Sequence, residues 1–159
     1  MDAMRIKDVM NHPVVTCPTG STLDHAARLM WEFDCGIIPV VNSEGRLAGI
    51  VTDRDICMAA YTQGKPLQAI SVETAMATDV ATAHQGEGIE TLEDVMRERR
   101  IRRLPVVDDE NRPIGMVSLN DLARLAAHTR RIGVEHEIVR TLADVSRPRG
   151  HAVEPVVAG

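Results

Sequence analysis

The sequence lacks the features that mark membrane, redox and zinc-binding proteins. No apolar run approaches the ~20 residues needed to span a bilayer, and the opening MDAMRIKDVM has no long apolar region after a basic start. Three cysteines, Cys17, Cys35 and Cys57, are odd in number and include no Cys-x-x-Cys pair. We therefore expect a soluble, cytoplasmic protein whose cysteines are ordinary core or surface thiols.

Catalytic signatures are also missing. The six histidines are scattered, and none occurs in a His-Glu-x-x-His spacing that would place two metal ligands on one helical face. There is no Gly-x-Ser-x-Gly elbow, phosphate-binding P-loop or cysteine-enzyme signature. We expect no catalytic residues, no metal site and no enzymatic activity.

Aromatic residues are scarce and acidic residues outnumber basic ones, which argues against nucleic-acid binding. The chain has three aromatic residues and a formal net charge of -5, so it offers no general attraction for phosphate backbones. The densest charge is RERRIRRL at 97–104. Arg97, Arg99 and Arg100 are better explained as a solvated helix end that complements the helix dipole, the alternative being a nucleic-acid patch.

A repeat is the main positive feature of the sequence. A shift of 66 residues aligns 8–56 with 74–122 without a gap, and 14 of the 49 aligned positions are identical. The shared positions include Met10 with Met76, Pro-Val-Val at 39–41 with 105–107, and the stretches GIVTDRD (49–55) and GMVSLND (115–121). Two copies of one structural unit are expected.

Each copy predicts the order strand, helix, strand, strand, helix, a mixed α/β (α+β) fold. VVTC and VATA are short strand candidates, and apolar residues at helical spacing follow each of them. The β-branched runs IIPVVN and LPVVDD then lead through polar turns into LAGIV and PIGMV, which predicts hairpins. With 44% apolar residues, the copies can bury a core by packing on each other.

The doubled pattern Met-x-x-x-Val, Pro-Val-Val and Gly-apolar-Val-[Ser/Thr]-x-x-Asp resembles a tandem pair of CBS domains. The resemblance implies two repeats packed as a pseudo-twofold pair that binds adenosine compounds in the clefts between them. We place the first domain at 5–64, a linker at 65–73, the second domain at 74–130, and a C-terminal helix with a frayed tail at 131–159. No output domain is recognisable, so the pair would stand alone and any regulated protein would be a separate chain.

Thr52 with Asp55, and Ser118 with Asp121, support two interpretations. In the structural one, each hydroxyl residue is a helix N-cap and the aspartate three residues later completes a capping box. In the functional one, the same helix N-terminus suits phosphate, and the aspartate accepts hydrogen bonds from ribose hydroxyls. The resemblance carries the nucleotide-binding role onto these four residues, and both roles can coexist.

The resemblance also implies secondary contacts for adenine, namely Thr16, Ile37 and Ile38 in one cleft and Thr82, Arg103 and Leu104 in the other. Their alternative role is ordinary strand packing.

The two predicted clefts differ in charge. Arg102 and Arg103 are plausible phosphate partners in the second cleft, where the first has Gly36 and Ile37. Arg54 could supply charge to the first cleft instead. We expect the second site to be the tighter one for AMP, ADP or ATP.

Beyond the repeats, VEHEIVRTLADV predicts a helix to residue 146 with a stripe of Val134, Ile138, Leu142 and Val145. That stripe packs on its own domain or forms a dimer contact, and a homodimer is expected because two repeats leave helical faces uncovered. Two functions remain open: a regulatory module that responds to adenosine nucleotides and needs no other cofactor, or a ligand-free dimerising scaffold for a partner protein.

Overall fold

A computed structural model describes residues 4–129 and 134–147, which form two copies of one unit and a final helix. The first unit contains β1 (Cys17–Pro18), α1 (Leu23–Glu32), β2 (Ile37–Val41), β3 (Leu47–Thr52) and α2 (Asp53–Gln63). The second contains β4 (Ala83–His84), α3 (Ile89–Arg99), β5 (Arg103–Val107), β6 (Pro113–Ser118) and α4 (Leu119–Thr129), and α5 (Val134–Val145) follows. Short 3-10 helices lie at Ile6–Asp8, Leu67–Ala69 and Val72–Thr74.

Each unit has a three-stranded sheet, ordered β1-β2-β3 in the first and β4-β5-β6 in the second. The first strand is parallel to the second, and the second and third form the predicted antiparallel hairpin. The register pairs Ile37 with Thr52 and Arg103 with Ser118. The predicted order and fold class are confirmed, and each hairpin sets a cleft residue beside a motif hydroxyl.

The first strand of each unit begins later than the sequence predicts. Pairing starts at Cys17, opposite Val40, and at Ala83, opposite Val106. Residues 14–16 precede the ladder and are only partly buried. Val15 packs against the core of the first unit, and the partial exposure of these side chains lets them also line a surface other than the sheet.

The segment that precedes the first strand of each unit, here called its leading segment, packs on the other unit. Ile6 is fully buried in the core of the second unit, and Asn11 forms a bridge with Met116 of β6. In the same way, Ala77 bridges back to Ile50 of β3 in the first unit. The segment that introduces each repeat thus packs on the sheet of the other, which ties the two units into one structure.

The final helix covers one side of the second unit. α5 packs against α3 and α4, and Ile138, Thr141 and Val145 are buried there. The predicted stripe is partly confirmed: Ile138 and Val145 face inward, whereas Leu142 is 47% exposed. The side chain of Val134 and the tail from residue 148 lie outside the described residues.

Beneath α5 lies an unusual carboxylate. Glu93 on α3 is only 5% exposed, and its Oε1 atom has no hydrogen-bond partner among the described residues. Burial raises the pKa of Glu93, the charge of Arg97 lowers it in part, and Glu137, Asp94 and Glu90 raise it further. A buried carboxylate with incomplete hydrogen bonding destabilises the fold when it is ionised.

Replacing Glu93 by glutamine is therefore expected to stabilise the protein at neutral pH. Because the folded-state pKa lies above the unfolded value, the stability contributed by Glu93 is full at low pH and is lost as the pH rises through the folded pKa. The gain in Glu93→Gln should shrink as the pH falls toward about 4.3. Thermal unfolding at several pH values checks this, with the exposed Glu98→Gln on the same helix as a control. An equal gain at every pH would contradict it.

Candidate functional site

The repeated motif forms a helix cap in both units, as predicted. The Thr52 backbone N–H and hydroxyl donate to Asp55 Oδ2 at 2.9 and 2.8 Å, and the Asp55 N–H donates to Thr52 Oγ1 at 3.2 Å. Ser118 and Asp121 repeat the arrangement at 2.8, 2.6 and 3.2 Å. Only Oδ2 of each aspartate is used in the cap, which leaves the Oδ1 atoms for other partners.

The two aspartates differ in what occupies the second oxygen. Asp121 is buried, and its Oδ1 forms an ion pair with Arg124, whose side chain is 66% exposed. The position equivalent to Arg124 in the first repeat is Met58. Sequence reasoning missed Arg124, although the spacing of three residues on one helix is a signal for such a pair.

Cavity 1 is a cleft between the units with a volume of about 530 Å³. It contains the motif residues Ser118 and Asp121 together with Ile37 and Arg103. The remaining lining residues are Asn11, Pro13, Val14, Val15, Phe33, Asp34, Cys35, Gly36, Met116, Val117, Asn120 and Arg124.

Cavity 2 is related to cavity 1 by the repeat and has a volume of about 250 Å³. It contains Thr52, again with Ile37 and Arg103, while Asp55 does not line it. The other lining residues are Ile50, Ala77, Asp79, Val80, Ala81, Arg99, Ile101 and Pro105.

Both cavities combine a motif from one repeat with walls from the other. Ser118 lies in the same cavity as residues 13–15 and 33–37 of the first repeat, and Thr52 shares a cavity with residues 79–81 of the second. The resemblance predicts that Thr82, Arg103 and Leu104 lie in the same cleft as Ser118. Of these, the structure brings only Arg103 to cavity 1, because the exchanged leading segments place the first repeat opposite Ser118.

The other predicted contacts lie elsewhere. Ile38 and Leu104 are fully buried in the two cores. Arg102 donates to Ser146 Oγ at 3.2 Å, near the end of α5. Neither cavity is lined by these three residues or by Thr16, Thr82 and Arg54.

The charges at the cavities are partly matched within the protein. Arg99 in cavity 2 pairs with Asp79 at 2.8 Å, and Arg124 in cavity 1 pairs with Asp121. Arg103 is exposed, and no ion pair or side-chain hydrogen bond is found for it within the described ranges. Its guanidinium is therefore available to an anion.

Cys35 adds a neutral group to cavity 1. Burial raises the pKa of its thiol, while a hydrogen bond to the Ile37 backbone and the charge of Arg103 lower it in part. With the apolar Val14, Val15 and Ile37, the cavity offers an apolar wall beside one hydroxyl, two carboxylates (Asp34 and Asp121) and two guanidinium groups. Such a lining suits a small molecule with an apolar ring, hydroxyl groups and negative charge.

Residues 4–129 and 134–147 also bear on metal binding and on membrane insertion. They hold no group of three or more His, Cys, Asp or Glu side chains placed to bind a metal ion. They also include no helix that is long and apolar enough to cross a membrane.

Comparison with known proteins places the chain in a family. The CBS domain model matches residues 6–61 and 71–128. The CBS domain-containing protein YhcV of Bacillus subtilis is 38% identical over 118 residues, which cover 74% of this chain and 82% of that protein. A homoserine O-acetyltransferase of Methanohalobium evestigatum is 35% identical over 120 residues, 76% of this chain, but the match spans only 24% of that enzyme.

A solved structure supports the same assignment. The CBS domain pair of protein MJ0100, in complex with 5'-methylthioadenosine and S-adenosyl-L-methionine, superposes with a TM-score of 0.71 at 29% identity and covers 79% of this chain and 98% of its own. The chain matches the family model twice and shares the fold of a known pair. It therefore belongs to the CBS domain family, with the domain present in two copies.

Proposed function

We propose that the protein is a regulatory module that binds an adenosine nucleotide of the AMP, ADP or ATP class in cavity 1 and thereby alters its interaction with a separate protein. The binding of 5'-methylthioadenosine and S-adenosyl-L-methionine by the MJ0100 pair supports an adenosine-containing ligand. The module catalyses no reaction itself and needs no further cofactor.

The observation that carries the proposal is the set of groups gathered in cavity 1. Asp121 Oδ1 can accept hydrogen bonds from ribose hydroxyls once Arg124 moves from it, and Val14, Val15 and Ile37 provide an apolar wall for adenine. The released Arg124 and the unpaired Arg103 can bind phosphate through charge-assisted hydrogen bonds.

Cavity 1 is the better nucleotide site of the two. Its volume of about 530 Å³ lies within the usual range for small-molecule sites, about 300–1,000 Å³, and the 250 Å³ of cavity 2 lies below it. Cavity 1 also has Asp121 in its lining, whereas cavity 2 lacks the equivalent Asp55. The site with Ser118 remains the one that we expect to bind more tightly, now with Arg124 in place of Arg102.

A second function, a dimerising scaffold, is favoured by one surface. Trp31 on α1 and Met58 and Tyr61 on α2, two helices that pack on each other, are 88, 47 and 81% exposed and are here called the apolar patch. The equivalent of Trp31 is Arg97, which contacts Glu137 and Thr141 of α5. Since α5 covers that side of the second unit alone, we propose that a second copy of the chain covers the apolar patch of the first.

A thermal-shift series with AMP, ADP, ATP, NAD and S-adenosylmethionine separates the two functions. A ligand at about 100 times its Kd should stabilise the fold by about 2.7 kcal/mol, which corresponds to a rise in Tm of about 5–10 °C for a chain of this size. A scaffold that binds no nucleotide would show no shift with any of them.

The position of the site is tested by calorimetric titration of two matched variants. Asp121→Asn is expected to weaken AMP binding by about 10-fold or more, because a charged acceptor for the ribose is lost. Asp55→Asn removes the equivalent capping carboxylate, which does not line cavity 2, and is expected to leave that affinity nearly unchanged. Loss of binding in Asp55→Asn alone would contradict the assignment.

A further inference from the structure

Arg103 occupies a position that belongs to both cavities. It begins β5 opposite Ser118, and its repeat equivalent Ile37 begins β2 opposite Thr52. Both residues line both cavities. The repeat thus brings one pair of equivalent positions to the boundary between the clefts, and only one of the two can carry a charge.

The other cations at the cavities already have carboxylate partners. Arg124 pairs with Asp121 on one side of the boundary, and Arg99 pairs with Asp79 on the other. A Cβ atom on Gly36, which lines cavity 1, would lie 2.9 Å from Asp53 Oδ2 and 3.8 Å from a terminal nitrogen of Arg103, although these two groups form no ion pair among the described residues. The guanidinium therefore stands beside the wall of cavity 1, while its side chain also borders cavity 2.

We propose that Arg103 is a shared phosphate-binding residue that makes the two cavities antagonistic toward phosphate-bearing ligands. This inference rests on the proposed nucleotide binding. A phosphate in cavity 1 draws the guanidinium toward it, and a phosphate in cavity 2 then meets only Ile37 and Arg99, which is already paired with Asp79. If the guanidinium instead holds both phosphates, they lie close enough to repel each other. In either case, binding in one cavity lowers the affinity of the other.

The antagonism is measured by titrating AMP, and adenosine as a ligand without phosphate, into the whole chain and into Asp121→Asn. Asp121→Asn impairs cavity 1, so its cavity 2 binds AMP without a neighbouring phosphate. In the wild-type protein cavity 1 is filled first, and the second AMP is expected to bind about 10-fold or more weakly than AMP binds to cavity 2 of the variant. The affinity of cavity 2 for adenosine, which carries no phosphate, should differ little between the two proteins.

Two reciprocal substitutions test the role of Arg103 directly. Ile37→Arg gives the boundary a second guanidinium and is expected to remove most of the difference between the first and second AMP. Arg103→Ile places the residue of the equivalent strand position there, so AMP should bind more weakly, and the affinity of cavity 2 for AMP should no longer depend on whether cavity 1 is filled. Circular dichroism melts confirm that each variant is folded before its affinities are compared.

The outcomes separate this inference from the proposed function. If the wild-type protein binds none of AMP, ADP and ATP, the proposed function fails and the inference fails with it. Two results would overturn only the shared role of Arg103. One is that the affinity of cavity 2 for AMP is the same with cavity 1 filled or impaired. The other is that cavity 2 binds no AMP in any variant.

Discussion

Replacing Trp31 by arginine is expected to weaken self-association of the chain by about 30-fold or more, which is the effect of losing one aromatic hot spot worth about 2 kcal/mol. Trp31 is 88% exposed on the apolar patch, and a surface tryptophan of this kind gains most when a partner covers it. Arginine is the natural residue at the equivalent position of the second repeat, so α1 should still fold.

Sedimentation velocity over a micromolar concentration range measures the effect. Val139→Arg is the matched control, because Val139 is also apolar and 62% exposed but lies on α5, outside the apolar patch. We expect Trp31→Arg to sediment as a monomer at concentrations where the wild-type chain and the control are dimeric. A monomeric wild-type chain at every concentration would defeat the proposed homodimer.

Replacing Gly49 by alanine is expected to destabilise the fold by about 1–3 kcal/mol, the usual cost of adding a methyl group to a closely packed site. An added Cβ would lie 2.6 Å from Met76 Sδ and 2.8 Å from the carbonyl oxygen of Ala77. That carbonyl accepts a hydrogen bond from the Ile50 N–H at 2.9 Å, so it cannot retreat without breaking the bridge that joins the exchanged segment to β3.

Urea unfolding measures the loss, and the chain offers a matched control. An added Cβ on Gly20, another glycine shared by the two repeats, would meet nothing within 4 Å, so Gly20→Ala should change stability by no more than about 0.5 kcal/mol. Gly115→Ala should resemble Gly49→Ala, since its Cβ would lie 2.8 Å from Met10 Sδ and 3.0 Å from the Asn11 carbonyl oxygen. Equal stabilities for Gly20→Ala and Gly49→Ala would contradict the prediction, because they would mean that the leading segment shifts to accept the added methyl group at little cost.

These close contacts explain why a glycine and a methionine recur at equivalent positions of the two repeats. Gly49 and Gly115 recur at the same place in both motifs, as do Met10 and Met76. The structure places Met76 on Gly49 and Met10 on Gly115. Met76 of the second repeat thus packs on the first repeat, and Met10 of the first repeat packs on the second. An alignment of the two repeats cannot reveal these contacts.

Features that depend on neighbours in the chain could be predicted from the sequence. The caps at Thr52 and Ser118 require a hydroxyl and a carboxylate three residues apart, and the hairpins require two β-branched runs joined by a polar turn. The burial of Leu23, Ala26 and Met30 on one face of α1 follows from their helical spacing.

The sequence alone therefore determined the repeat, the order of its elements and the residues that cap its helices, because each of these depends on spacings of a few residues. Only the tertiary structure decided which walls surround each motif, that Arg124 reaches Asp121, and that Arg103 borders both cavities. These features arise where segments distant in the chain pack together. The physical reason is that the exchanged leading segments set residues of one repeat against the helix N-terminus of the other, a contact with no fixed separation along the chain.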